Sequence, residues 1–256
     1  MYKSNTVMLI APAFNEEGKI GEVVRRAPRD IVDTVLVVDD GSTDRTGAVA
    51  RRAGAEVVSL GRVCGVGCAI RRGFEEARRR RIDIAVVIAG NNKDAPEEIT
   101  RLLDPICDAA CDFVIGSRYL AGGRYGGDMP AYRKTATRLH PLLMSLFCGK
   151  RVTESTNGYR AMRVQVLDDP RIDLDQGWLD GYQLEVYLMM KLLKLGYRTA
   201  EVPVSKIYPP KAAGNTKMRP ILDWWHMLAP IFVVGLGIER LVHSSTGRDV
   251  EERLRA

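Results

Sequence analysis

No stretch of the chain is long and apolar enough to span a bilayer. The longest apolar run, Met227 to Ile238, is interrupted by Pro230, Gly235 and Gly237, whereas a spanning helix needs about 20 residues. No secretory leader is expected either, because the opening MYKSNTVMLIAPAFNEE turns acidic almost at once. A cytoplasmic protein with reduced thiols is therefore expected. The five cysteines are an odd count. Cys64/Cys68 and Cys107/Cys111 are spaced CxxxC rather than CxxC, with no histidine near either pair, which argues for plain buried thiols over zinc. No internal repeat is visible. The one biased tract, Arg78 to Arg81, reads as the solvated end of a helix.

What remains is the composition of a well-cored protein, neither disordered nor a simple membrane bundle. Its 256 residues are 46% hydrophobic and 27% charged, too apolar for disorder and ample for one large domain, or for a domain with a C-terminal extension. The net charge of +6 favours an anionic partner. Nucleic acid is not expected: no recognition motif is present, and the acids described below would repel its phosphates.

The first half alternates between two periodicities. Apolar runs at residues 6–13, 33–38, 56–60, 82–89 and 112–115 read as buried strands. Residues 15–27, 66–79 and 96–103 between them read as helices, the last with Pro96 in its first turn. That order predicts an α/β fold with a mostly parallel sheet and helices on both faces. Ligands in such sheets bind beyond the carboxyl ends of the strands. Here those ends carry Asn15-Glu16-Glu17, Asp39-Asp40, Gly90-Asn91-Asn92 and Ser117-Arg118. After Tyr119 the pattern changes. A Gly-rich loop at 121–129 precedes helices at 131–147 and 179–195, a strand at 199–204, a basic loop at 208–218 and an apolar helical region at 220–242.

Asp39-Asp40 before Gly41 suits a turn as well as a ligand. Beside Asn15-Glu16-Glu17 a polar ligand is the better reading, since a carboxylate there can accept from a base N–H or a ribose hydroxyl. The glycines of Cys64 to Gly73 allow either a ligand or another element to approach closely, and they follow the third strand, not the first as in a dinucleotide fingerprint.

Taken in order, Ala11-Pro-Ala-Phe-Asn-Glu-Glu, Val37-Val-Asp-Asp-Gly-Ser-Thr-Asp, Gly65-Val-Gly-Cys-Ala and Gly116-Ser-Arg-Tyr resemble the family 2 glycosyltransferases of GT-A fold. So do Thr153-Glu-Ser-Thr-Asn-Gly-Tyr-Arg, Glu201-Val-Pro-Val and Gly214-Asn-Thr-Lys-Met. The subgroup resembled is that of dolichol-phosphate mannosyltransferase and the bacterial polyprenyl-phosphate enzymes. The resemblance implies a GT-A domain over 1–220, with a nucleotide-sugar half at 1–120 and an acceptor half at 121–220, followed by an amphipathic helical extension at 221–256. It implies a nucleoside-diphosphate sugar held by Pro12, Ala13, Asn15, Glu17 and Asp39, with Asp40 close by and Gly67 letting backbone approach. It implies phosphate-binding cations at Arg118, Arg133 and Lys217.

The sequence departs from the family at its metal motif. The Asp-x-Asp that holds a divalent ion falls on Ala89-Gly90-Asn91, and the position two further on, often Gln, is Lys93. Mg²⁺ prefers hard anionic oxygens, so three readings stand. Lys93, helped by Arg118, supports the leaving diphosphate; or Asn91 and Asp94 keep a weak Mg²⁺ or Mn²⁺ site; or the protein only binds the nucleotide sugar, as an inactive partner. A phosphorylated polyprenol acceptor needs no strong base, whereas a soluble hydroxyl or amine does. Glu154 is the candidate base or acceptor-orienting group, and Asp180 a weaker one. The expected reaction is inverting sugar transfer to a polyprenyl phosphate. The apolar C-terminal region, flanked by basic residues, suits peripheral contact with the inner membrane face, a homodimer interface, or a helix packed on the sheet.

Overall fold

The computed structural model describes residues 1–209 and 222–239. β1 (Val7–Ala13) forms because its seven residues are almost continuously apolar and buried on both sides. It pairs in parallel with β2 (Thr34–Asp39) and β4 (Ile84–Val87), and β2 pairs in parallel with β3 (Glu56–Ser59). β5 (Phe113–Ser117) pairs in parallel with β8 (Thr199–Pro203). Between β4 and β5 lies β7 (Arg160–Arg163), antiparallel to both. The seven strands run β3-β2-β1-β4-β7-β5-β8.

Two apolar cores cover the two faces. Met8 and Ile10 of β1 point to one core, and Val7, Leu9 and Ala11 to the other, as the two-residue period requires. The first core is closed by α3 (Val66–Arg79), α5 (Ala131–Cys148), α6 (Gln183–Lys194) and α7 (Leu222–Gly235). The second is closed by α1 (Ile20–Arg26), α2 (Thr46–Arg52) and α4 (Ile99–Asp108).

The structure differs from the sequence expectations in several places. α1 starts five residues late, because Asn15 is at φ +49° and its segment turns back to meet the β2 loop. The Gly-rich loop contains β6 (Arg124–Gly127), which pairs in parallel with β9 (Ser205–Tyr208) as a separate ribbon. Gly127 is required there: its φ is +73° and a Cβ would lie 1.9 Å from the Tyr208 carbonyl oxygen. α7 runs through Pro230 without a break and buries Met227, Ile231 and Val234.

Candidate active site

A cavity of about 1140 Å³ opens beyond the carboxyl ends of the strands. Its floor includes Pro12 and Ala13 from β1, Asp40 after β2, and Ala89, Gly90 and Asn91 after β4. Arg118 after β5 and Arg133 on α5 line one wall, and the 177–183 loop and α7 another. From β2 to β5 the sheet order crosses four strand spacings, roughly 19 Å at the usual separation. That width accommodates an extended ligand rather than a single small ring.

The β2 end is built by reciprocal loop contacts. The Asn15 side-chain oxygen accepts from Thr43 N at 2.8 Å, and Asn15 N donates to Ser42 Oγ at 2.9 Å. Asp40 accepts from Cys64 N at 2.7 Å and from Gly65 N at 3.0 Å. Burial raises its carboxyl above the usual range, and those two N–H groups partly offset this. Asp39 does not line the cavity; its Oδ1 accepts from Ser42 N at 3.0 Å, which makes it the turn-former. Glu17 also points away, accepting from Arg45 N at 3.0 Å. Gly67 admits protein backbone rather than a ligand. A Cβ there would lie 2.1 Å from the Leu179 carbonyl oxygen, and Gly67 N donates to Asp180 O at 2.8 Å.

The lining also gathers cations, among the carboxylates Glu16, Asp180, Glu185 and Asp223. Lys19, Lys93, Arg118, Arg133 and Lys206 all line the cavity. Lys93 is 6% exposed, with its ammonium 4.9 Å from the centroid of the Tyr208 ring. Burial first, then the charges of Lys206, Arg133 and Lys19, pull its pKa down to about 7, with Glu16 opposing them. Arg118 donates from Nε to Glu154 Oε2 at 2.6 Å and from Nη2 to Thr156 Oγ1 at 3.2 Å. The second Glu154 oxygen accepts from Thr156 N, Thr156 Oγ1 and Asn157 N. Burial would raise the Glu154 carboxyl, but Arg118 and these donors bring it below its usual value.

Glu154 is therefore not presented to the cavity as a base. It is fully buried behind Arg118 and fixes that guanidinium. Asp94 is also withdrawn. Its two oxygens accept from Lys206 Nζ at 2.7 and 2.8 Å, and the same ammonium donates to Asn157 Oδ1 at 2.8 Å. Asn91 does line the cavity, but its Oδ1 accepts from Lys93 N at 3.3 Å. Asp180 lines the cavity while accepting from Arg71 at 2.5 Å. Lys217 lies outside the described residues. Among the described residues, no cluster of three or more His, Cys, Asp or Glu could hold a metal ion.

Several lining groups have no signal in the sequence. Lys206 and Tyr208 sit on β9, a strand too short to announce itself. Gln183 Oε1, Glu185 Oε1 and Trp224 Nε1 are buried without a hydrogen-bond partner among the described residues, and all three residues line the cavity. Polar atoms in that state suit a ligand that completes them. Nothing in the sequence spacing brings α6 and α7 to one wall.

An α/β sheet whose strand ends gather carboxylates and a group of cations around one cavity suits an anionic ligand. The sequence profile of Glycosyl transferase family 2 matches residues 8–170, and the chain belongs to that family and is a glycosyltransferase of GT-A fold. It is 32% identical over 218 residues to the polyprenol monophosphomannose synthase of Mycolicibacterium smegmatis, covering 82% of this chain and 80% of the relative. It is 35% identical over 219 residues to the undecaprenyl-phosphate mannosyltransferase of Micrococcus luteus, covering 83% and 87%. The glucosyl-3-phosphoglycerate synthase of Mycobacterium tuberculosis, solved with Mn²⁺, UDP and glucosyl-3-phosphoglycerate, shares the fold at a TM-score of 0.65 and 22% identity, covering 90% of this chain and 80% of that one.

Proposed function

We propose that the protein moves a sugar from a nucleoside-diphosphate sugar to a polyprenyl phosphate, with inversion at the anomeric carbon. The observation that carries this is the set of cations in the cavity: Lys93, Arg118 and Arg133 suit phosphates, and Asp40, after β2, suits a ribose or base. The names of the two bacterial relatives support the same acceptor. An acceptor phosphate is already anionic at neutral pH, so its oxygen attacks C1 without a base. The C1–O bond to the donor breaks on the opposite face, and its electron pair leaves with the diphosphate. Arg118, held by Glu154, is positioned to bind the acceptor or donor phosphate. Glu154 is buried behind it and Asp180, the second candidate base, is paired with Arg71, which disfavours transfer to a soluble hydroxyl or amine that needs a base.

Peripheral contact with the inner membrane face belongs to the same reading. No described helix is long and apolar enough to cross a membrane. Yet α5 exposes Leu139, Leu142 and Leu146, and α7 exposes Trp225. Arg133, Lys134 and Arg138 stand on the same helix as the leucines, which is the composition of an interfacial helix.

The test is transfer from labelled UDP- and GDP-sugars to a short-chain polyprenyl phosphate, with the unphosphorylated polyprenol as control. The proposal expects product with the phosphate alone, of anomeric configuration opposite to the donor. Transfer to the free alcohol at a comparable rate would overturn it.

A further inference from the structure

The residues at the family's metal position do not fit a divalent ion. Ala89 and Gly90 contribute no side-chain oxygen. Asn91 offers one neutral carbonyl, and it is turned back onto Lys93 N. The nearest carboxylate in sequence, Asp94, has both oxygens on the Lys206 ammonium and is 2% exposed. A hard dication prefers several anionic oxygens, and here the same loop supplies a cation.

That cation is held in place from several directions. The Lys93 carbonyl accepts from Ile207 N at 2.7 Å, and Asp94 bridges to Lys206, so β9 fixes the loop immediately after the side chain. The Tyr208 ring lies against the ammonium. The charges that act on it most strongly are Lys206, Arg133 and Lys19, with Glu16 opposed. A buried cation among cations is an environment that an anion stabilises.

We propose that this chain binds the donor diphosphate without a divalent metal, the Lys93 ammonium standing where the metal would. The inference rests on the reading of a nucleoside-diphosphate donor. When the C1–O bond breaks, the electron pair stays on the diphosphate oxygen, and the ammonium neutralises the added charge without giving up its proton. A fixed cation at developing leaving-group charge lowers the barrier as a metal does, because neither must reorganise during the step.

The experiment is calorimetric binding of UDP, GDP and the matching monophosphates to the full chain, in EDTA and in Mn²⁺. The expected result is a diphosphate affinity that agrees within about twofold between the two conditions. Lys93→Gln should then weaken diphosphate binding by about 10- to 100-fold, the range for one lost charge-assisted hydrogen bond, and weaken monophosphate binding far less. A merely structural lysine would lower both equally. The combined change Ala89→Asp, Asn91→Asp and Lys93→Gln should restore binding only in Mn²⁺. Diphosphate binding by the wild type that requires metal would overturn the inference and leave the transferase reading standing. No diphosphate binding in either condition would remove both.

Discussion

At the residue scale, the sequence shows which side chains are unusual but not where they face. Lys93 is legible because it breaks a family pattern. Glu154 is legible as a site acid, but its role is not, because burial decides it: a carboxylate enclosed with a guanidinium at 2.6 Å is a positioning group. Lys206 is not legible, since a lysine after Pro203-Val204-Ser205 looks like any solvated lysine. Glu154→Gln tests the assignment. It leaves a buried guanidinium without its counter-charge, a loss of about 3–5 kcal/mol and a melting temperature lower by roughly 10 °C. A catalytic base would show the reverse: unchanged melting with turnover reduced about 100-fold or more. Thermal melting and single-turnover transfer on the same preparation separate the two.

At the scale of elements, long apolar runs were legible and short polar strands were not. β1, β2 and β4 announce themselves because both faces are buried. β7 does not, because Arg-Ala-Met-Arg reads as polar; Arg160 is buried only by donating to the carbonyls of Ser155, Asn157 and Glu185. The docking of α7 is one of three alternatives that its apolar composition leaves open. His140 on α5 makes it specific: Nε2 donates to the Met227 carbonyl at 3.2 Å, which leaves Nδ1 to accept from Ser155 Oγ at 2.7 Å. Burial lowers its pKa to about 4; the Met227 carbonyl and Glu154 oppose this, and Arg160 adds to it. The ring also faces Trp224. Below the ordinary value of 6.5 the unfolded chain takes up a proton that the folded chain refuses, so stability falls as pH drops from about 6.5 to about 4. The contribution is at most about 3 kcal/mol. Denaturant unfolding from pH 7 to 4.5 should therefore show a steeper loss for wild type than for His140→Gln. Parallel curves would contradict the assignment.

At the scale of the whole molecule, the sheet order converts residues scattered from 12 to 229 into one cavity. The parallel half was legible from alternation, and it placed the site at the strand ends. The insertion of antiparallel β7 was not legible, yet it separates β5 from β4 and so sets Arg118 apart from Asp40. The cations gathered with Asp40 at the strand ends are the basis for reading a donor and an acceptor in one cavity. The most direct test is the structure of the protein with a bound nucleoside diphosphate. The account predicts ribose or base at Asp40 and the terminal phosphate within hydrogen-bond reach of Lys93, with Arg118 on its far side. A nucleotide bound with its phosphates away from Lys93, or outside this cavity, would contradict it.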